Sequence, residues 1–195
     1  MNKKKIIQIG IIIFVIVFVA ICIAIVQFSK KDLEEAKKGL EETQKKYGWV
    51  EKENIDVLVA KFNTQVMDND SSSLNPASTD YLTESNNEYW YGLIEGVYLV
   101  VVPEKYTGDK TTEIVNYTLL YVDKTSKYES DAISYIKHLI KANNSEITDS
   151  EIDTLLEDAK TKTNSGKTAN NGKGISIGYT ENDEAYQYQV LRLYK

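Results

Sequence analysis

The side chains able to do chemistry in this chain are few. It carries one histidine, His138, one cysteine, Cys22, and one arginine, Arg192, among 29 acids and 14 tyrosines. A thiol–imidazole dyad after residue 46 has no thiol, a zinc cage of several imidazoles has only one, and any Ser–His arrangement must use His138. His138 falls beside apolar positions near the carboxyl end of a predicted helix, where packing or the helix dipole accounts for it. Hydrolysis by paired carboxylates needs two acids to converge with one kept protonated. The acids here gather instead at helix starts and turns, as Asp149, Glu151 and Asp153 do. No catalytic residue is assigned, and the chain does not read as an enzyme.

Phosphate and cation motifs fail on their most demanding positions. Gly166–Lys167–Thr168 has the end of a phosphate loop, but the glycine required five positions earlier is Thr161, and no strand and helix flank it. The run from Asp68 alternates carboxylates like a calcium loop, yet Ser73 stands at the turn glycine and Thr79 at the bidentate glutamate. The turn Glu181–Glu184 reads as a solvated hairpin tip. No metal and no cofactor is expected.

The aromatic residues are more informative. In a strand, alternate side chains share a face, so Tyr186, Tyr188, Val190, Arg192 and Tyr194 line up, as do Val115, Tyr117, Leu119 and Tyr121. Tyr89, Trp90 and Tyr91 add a third aromatic group. A tyrosine offers a flat apolar ring with a polar tip, suited to protein contacts and to sugar stacking. The expected ligand- or partner-binding surface is therefore Tyr89, Trp90, Tyr117, Tyr121, Tyr186, Tyr188, Arg192 and Tyr194; helices packed over that face would bury it instead.

The elements that must position these residues are legible in outline. Ile55, Leu58, Val59, Phe62 and Val66 recur at helical spacing and predict a helix over 53–67. A polar loop follows at 68–80. β-Branched and aromatic runs predict strands at 89–94, 96–102 and 113–122. Capping boxes at Ser126…Glu129 and Thr148…Glu151 predict two helices in succession. A glycine- and asparagine-rich loop and a final hairpin over 174–179 and 184–194 complete an α+β order, α-β-β-β-α-α-β-β, with a mostly antiparallel five-stranded sheet and about three helices.

Residues 6–28 carry no charge, and as a helix they would reach about 35 Å against a hydrocarbon core of about 30 Å. They predict a transmembrane signal-anchor helix, too long for a cleaved signal. Lysines at 3–5 place residues 1–5 as a short basic cytoplasmic tail and the carboxyl side outside: a single-pass protein of the cell membrane. Residues 29–46 read as a charged helical stalk with opposite charges three and four apart. Leu33, Ala36, Leu40, Thr43 and Tyr47 form a weak heptad seam that allows a homodimer. Residues 47–195 are the extracytoplasmic α+β domain.

Residues 1–28 hold three lysines and residues 29–46 six against five acids, so the formal charge of −6 leaves −10 on residues 47–195. Phosphate backbones repel such a domain, and no nucleic acid is expected as partner. The plan of basic tail, span, charged stalk and Tyr-, Asn- and Lys-rich domain resembles membrane-anchored proteins of low-GC Gram-positive bacteria; the likeness implies no active site. The expected function is a non-catalytic binding or interaction module at the bacterial cell envelope, held by the membrane and meeting a protein partner there. Alternatives are a tethered carboxylate-dependent hydrolase and a structural subunit of an envelope or secretion assembly.

Overall fold

The computed structural model describes residues 34, 35, 37–39, 41, 42, 48–68, 74–163, 165, 167–170 and 172–194. The chain divides into Met1–Gln44 and Lys45–Lys195. In the first unit the described residues are helical and exposed; the span at 6–28, the tail at 1–5 and most of the stalk and its heptad seam lie outside them. Among the described residues no helix is long and apolar enough to cross a membrane. The longest, of 15 residues, reaches about 22 Å at about 1.5 Å per residue, short of a bilayer core. The single-pass transmembrane protein of the cell membrane expected above is corrected accordingly.

In the second unit, α1 (Ile55–Met67) starts where Asn54 accepts a hydrogen bond from the Val57 amide, and it buries Ile55, Leu58, Phe62 and Val66. A 3-10 turn, Thr79–Tyr81, leads into β1 (Leu82–Ser85), β2 (Glu88–Ile94), β3 (Val97–Pro103) and β4 (Val115–Asp123). Helices α2 (Glu129–Asn143) and α3 (Asp149–Thr161) follow, then β5 (Ala169–Asn170), β6 (Ile175–Glu181) and β7 (Ala185–Arg192). The sheet is antiparallel throughout, in the order β1-β2-β3-β4-β7-β6-β5.

Seven strands replace the expected five. The additions are the edges: β1, whose side chains are mostly exposed, and the two-residue β5. Neither buries an alternating face, so neither has a periodic signal. β1 joins β2 through Asn86 and Asn87, both at positive φ (54° and 63°), the backbone of a tight primed hairpin turn that asparagine tolerates. The capping box at Thr148…Glu151 forms, whereas the one expected at Ser126 does not. α2 begins after Tyr128 without a side-chain cap, and the Ser126 hydroxyl donates to the Glu95 carbonyl and accepts from the Tyr128 amide.

α1 packs on α2, with Phe62 and Tyr135 rings stacked at 6.2 Å, α2 lies against β4 and β7, and α3 lies against β5 and β6. The core they close contains Tyr91, Leu99, Leu120, Tyr188 and Val190 from the sheet and Ile136, Leu139, Ile152 and Leu155 from the helices. The segment entering α1 runs beside the end of β7, with the Val50 amide donating to the Leu193 carbonyl at 2.8 Å. Here the chains come so close that a Cβ on Gly174 (φ +80°) would stand 2.4 Å from the Trp49 carbonyl carbon.

Candidate functional site

Strand alternation and the pairing register sort the aromatic residues onto two faces of one sheet. On the face away from the helices, one row across the strands runs Gly92, Tyr98, Tyr121, Gln187, Thr180. The next runs Trp90, Val100, Leu119, Gln189, Gly178, and Val102, Tyr117, Leu191 and Ser176 form a third. The first two rows carry no charged side chain. Their β2, β3 and β4 positions are aromatic or aliphatic apart from Gly92; their β7 and β6 positions are amides, a hydroxyl and a glycine.

Trp90, Tyr98 and Tyr121 form a three-ring cluster. Trp90 lies 6.1 Å from Tyr98 and 5.7 Å from Tyr121 between centroids, and the two tyrosines are 6.2 Å apart, all inclined rather than stacked face to face. Such inclined pairs suit the ring quadrupoles. The Trp90 Nε1 donates to the Glu88 carboxylate at 3.0 Å, which fixes the indole. Val100, the cross-strand partner of both Trp90 and Leu119, is 0 % exposed, and Leu119 is 9 % exposed. Because the helices of this unit pack on the other face, the rings themselves shield these aliphatics. Tyr98 remains 36 % exposed.

Beyond Gly92 the face drops into an open groove of about 720 Å³ whose lining includes Tyr81, Thr83, Gly92, Ile94, Glu95 and Tyr98. Tyr81 is 71 % exposed. Tyr135 holds the loop behind it, accepting from the Asn75 amide at 2.8 Å and donating to the Asn75 carbonyl at 3.1 Å. Asn63 exchanges two hydrogen bonds with the Ala77 backbone.

The eight residues singled out from sequence divide between these surroundings. Trp90, Tyr117 and Tyr121 lie on the open face. Tyr89, Tyr186, Tyr188 and Arg192 lie on the covered face and are buried. Tyr186 and Tyr188 join Tyr179 in a cluster with centroids 4.8 to 6.0 Å apart, which lines a cleft of about 360 Å³ together with Ser130, Ile133 and Lys160. Tyr194, half-buried past the end of β7, lies 5.4 Å from the Arg192 guanidinium and 5.2 Å from Lys52 Nζ; burial pushes its phenol up to about 12.

Three contributors escaped the sequence reading. Tyr98 is the only aromatic residue in the apolar run 97–102, and its position opposite Tyr121 across a hairpin was the available signal. Gln187 and Gln189 alternate with tyrosines in β7, and their amides mark the face opposite to them.

Acids elsewhere are engaged in structure. Glu53 gives one carboxylate oxygen to Arg192 Nη1 at 2.6 Å and the other to Lys61, and Arg192 Nη2 donates to the Glu51 carbonyl. Around them opens a second groove of about 720 Å³ with Trp49, Lys61, Lys141 and Asn143 on its walls. Glu113 is buried and accepts from the Thr107 amide and hydroxyl and the Gly108 amide. Burial alone would raise its pKa, but these donors and the adjacent Tyr89 hydroxyl outweigh it and hold the carboxyl below the ordinary range. That hydroxyl lies beside Glu113 without reaching hydrogen-bond geometry. At the hairpin tip, Glu181 pairs with Lys124 at 2.6 Å and Asn182 caps the turn. Among the described residues no cluster of three or more His, Cys, Asp or Glu could hold a metal ion. The β5 strand, not a helix, follows Thr168, against the needs of a phosphate loop.

Set beside known proteins, the chain matches no family model, and no curated protein or solved structure matches it.

Proposed function

We propose that the chain is a non-catalytic recognition module whose contact surface is the open face of the sheet, centred on Trp90, Tyr98 and Tyr121. One observation carries this reading: three aromatic side chains lie in mutual contact on a face that the helices of the unit leave open. Their strands β2, β3 and β4 are paired on both sides, so the backbone beneath them is fixed before any partner arrives. Ordering costs on binding are then small, and tryptophan and tyrosine present large contact areas with only two side-chain torsions each. Aromatic anchors of this kind dominate binding energies where they occur.

The surroundings favour binding over catalysis. The Glu53 and Glu113 carboxylates are taken up in structural contacts, the first with Arg192 and Lys61 and the second with backbone amides. Among the described residues, the two central rows of the open face bring no nucleophile together with a base.

A fragment screen tests the reading. Isotope-labelled protein is exposed to small aromatic, amide and polyol fragments while backbone and indole resonances are followed. The expected shifts concentrate on Trp90, Tyr98, Tyr121 and their cross-strand neighbours. Shifts that map to the Glu53–Arg192 groove or to the Tyr179 cleft, with the open face silent, would sink it.

A further inference from the structure

We infer that the open face binds an uncharged, extended polysaccharide chain laid across the strands; the inference rests on the recognition reading above and names what that face takes. Charge is the first ground. The domain has a formal charge of −10 by sequence, yet the two central rows, from Gly92 to Thr180 and from Trp90 to Gly178, contain no ionic side chain. The Glu88 carboxylate that lies against Trp90 is already engaged by the indole N–H at 3.0 Å, so an anionic ligand would find no counter-charge in these rows and a cationic one only an occupied acceptor, whereas a neutral chain requires neither.

The division of chemistry along the rows is the second ground. Trp90, Tyr98 and Tyr121 present ring surface to the C–H face of a pyranose. Beside them, Gln187 and Gln189 offer amides that both donate and accept, and Thr180 a hydroxyl that does the same. Sugar hydroxyls need partners of this two-way kind. A peptide that adds as a strand needs backbone donors and acceptors at a sheet edge, and β3, β4 and β7 are paired on both sides; a polyproline segment, which needs no edge, is the remaining peptide class and is an arm of the test below.

Geometry is the third. Strands lie about 4.8 Å apart, close to the advance of one sugar unit in an extended β-linked chain, so the row Gly92–Tyr98–Tyr121–Gln187–Thr180 spans about 19 Å and seats about four units in register with the strands. Gly92 and Gly178 keep the diagonal ends of the two rows low. Past Gly92 the groove beside Tyr81 continues the path, and its ring is 71 % exposed.

The test is calorimetric titration of the full chain with cello-, chito- and xylo-oligosaccharides of two to six units, with a ten-residue polyproline peptide as the competing class. At least one sugar series is expected to bind, with the dissociation constant falling at least tenfold between two and four units and little thereafter. Tyr98→Ala and Gln187→Ala, both at accessible positions, are each expected to weaken binding at least fivefold with the melting temperature nearly unchanged. Val57→Ala, on an exposed part of α1, should leave it intact. No binding by any of the three series, binding without length dependence, binding indifferent to both variants, or binding of the peptide alone would each overturn the assignment. If fragments still map to Trp90 and Tyr121 in that case, the recognition reading survives and only the ligand class is lost; if fragments and sugars both miss the face, the two fail together.

Discussion

Arg192 and Glu53, 139 positions apart in the chain, meet in the interior at 2.6 Å, with their side chains 2 % and 9 % exposed. The pair ties the end of β7 to the segment that enters α1. Removing one partner strands the other charge away from water, which typically costs about 3–5 kcal/mol. Glu53→Ala is expected to lose about that much in urea unfolding. The double variant Glu53→Leu with Arg192→Met should recover much of it, because no charge is then left buried. Equal losses in the single and double variants would show that packing, not charge, dominates at this site.

The two faces of the sheet predict opposite responses to the same substitution. Tyr188 is 0 % exposed beneath the helices, so Tyr188→Ala opens a cavity and should cost about 3–5 kcal/mol. Tyr98→Ala, on the open face, should cost about 1 kcal/mol or less. Denaturant midpoints compared across the two variants check the face assignment directly, and a reversed order would contradict it.

Close approach between backbones predicts a contrast between two glycines of like conformation. Gly174 and Gly108 have φ of +80° and +84°, but an added Cβ meets Trp49 backbone at the first and open space at the second. Gly108→Ala should cost about 1–2 kcal/mol, the ordinary penalty for a left-handed residue. Gly174→Ala should cost clearly more, since the segment at 48–50 must move off β7. Thermal melts of both variants measure the difference.

The capping box predicts an acid limb. Hydrogen bonds from the Thr148 amide, then Lys173 and the Thr148 hydroxyl, bring the Glu151 carboxyl down from the ordinary 4.5 to about 2. A depressed folded pKa adds stability that is present above the unfolded value and is lost as pH falls through the folded one. The gap in stability between the parent and Glu151→Gln should therefore be constant above about pH 5 and close between there and about pH 2. Carboxyl NMR titration gives the same answer independently: Glu151 should still be ionised at about pH 3.

Sequence periodicity revealed most of the helices and all the central strands, for reasons visible in particular residues. α1 and α3 have one apolar stripe each, so their buried positions stand out. The faces of the sheet were harder, because β3 and β4 are apolar on both sides: Val97, Leu99 and Val101 face the helices, while Val100 and Leu119 face away and are nonetheless buried. Alternation then cannot say which side is covered. Strand parity grouped Tyr186 with Tyr188 and Tyr117 with Tyr121, but only the register, with Leu120 opposite Tyr188 and Tyr121 opposite Gln187, shows that the two groups look in opposite directions. The Glu53–Arg192 pair left no local trace, since its partners are brought together by the completed sheet alone.

That sheet has its seam in the middle. β4 and β7 are neighbours, yet helices α2 and α3 and strands β5 and β6 are strung between them in the chain. The amino-terminal meander and the carboxyl-terminal hairpin each pair strands that are adjacent in the chain, and the β4 edge has no partner until β7 is present. A polypeptide emerging from the ribosome must therefore keep the β4 edge from sticking to other chains for the time taken to synthesise more than sixty residues, roughly 3–12 s at 5–20 residues per second, and the last strand to appear is the one that closes it.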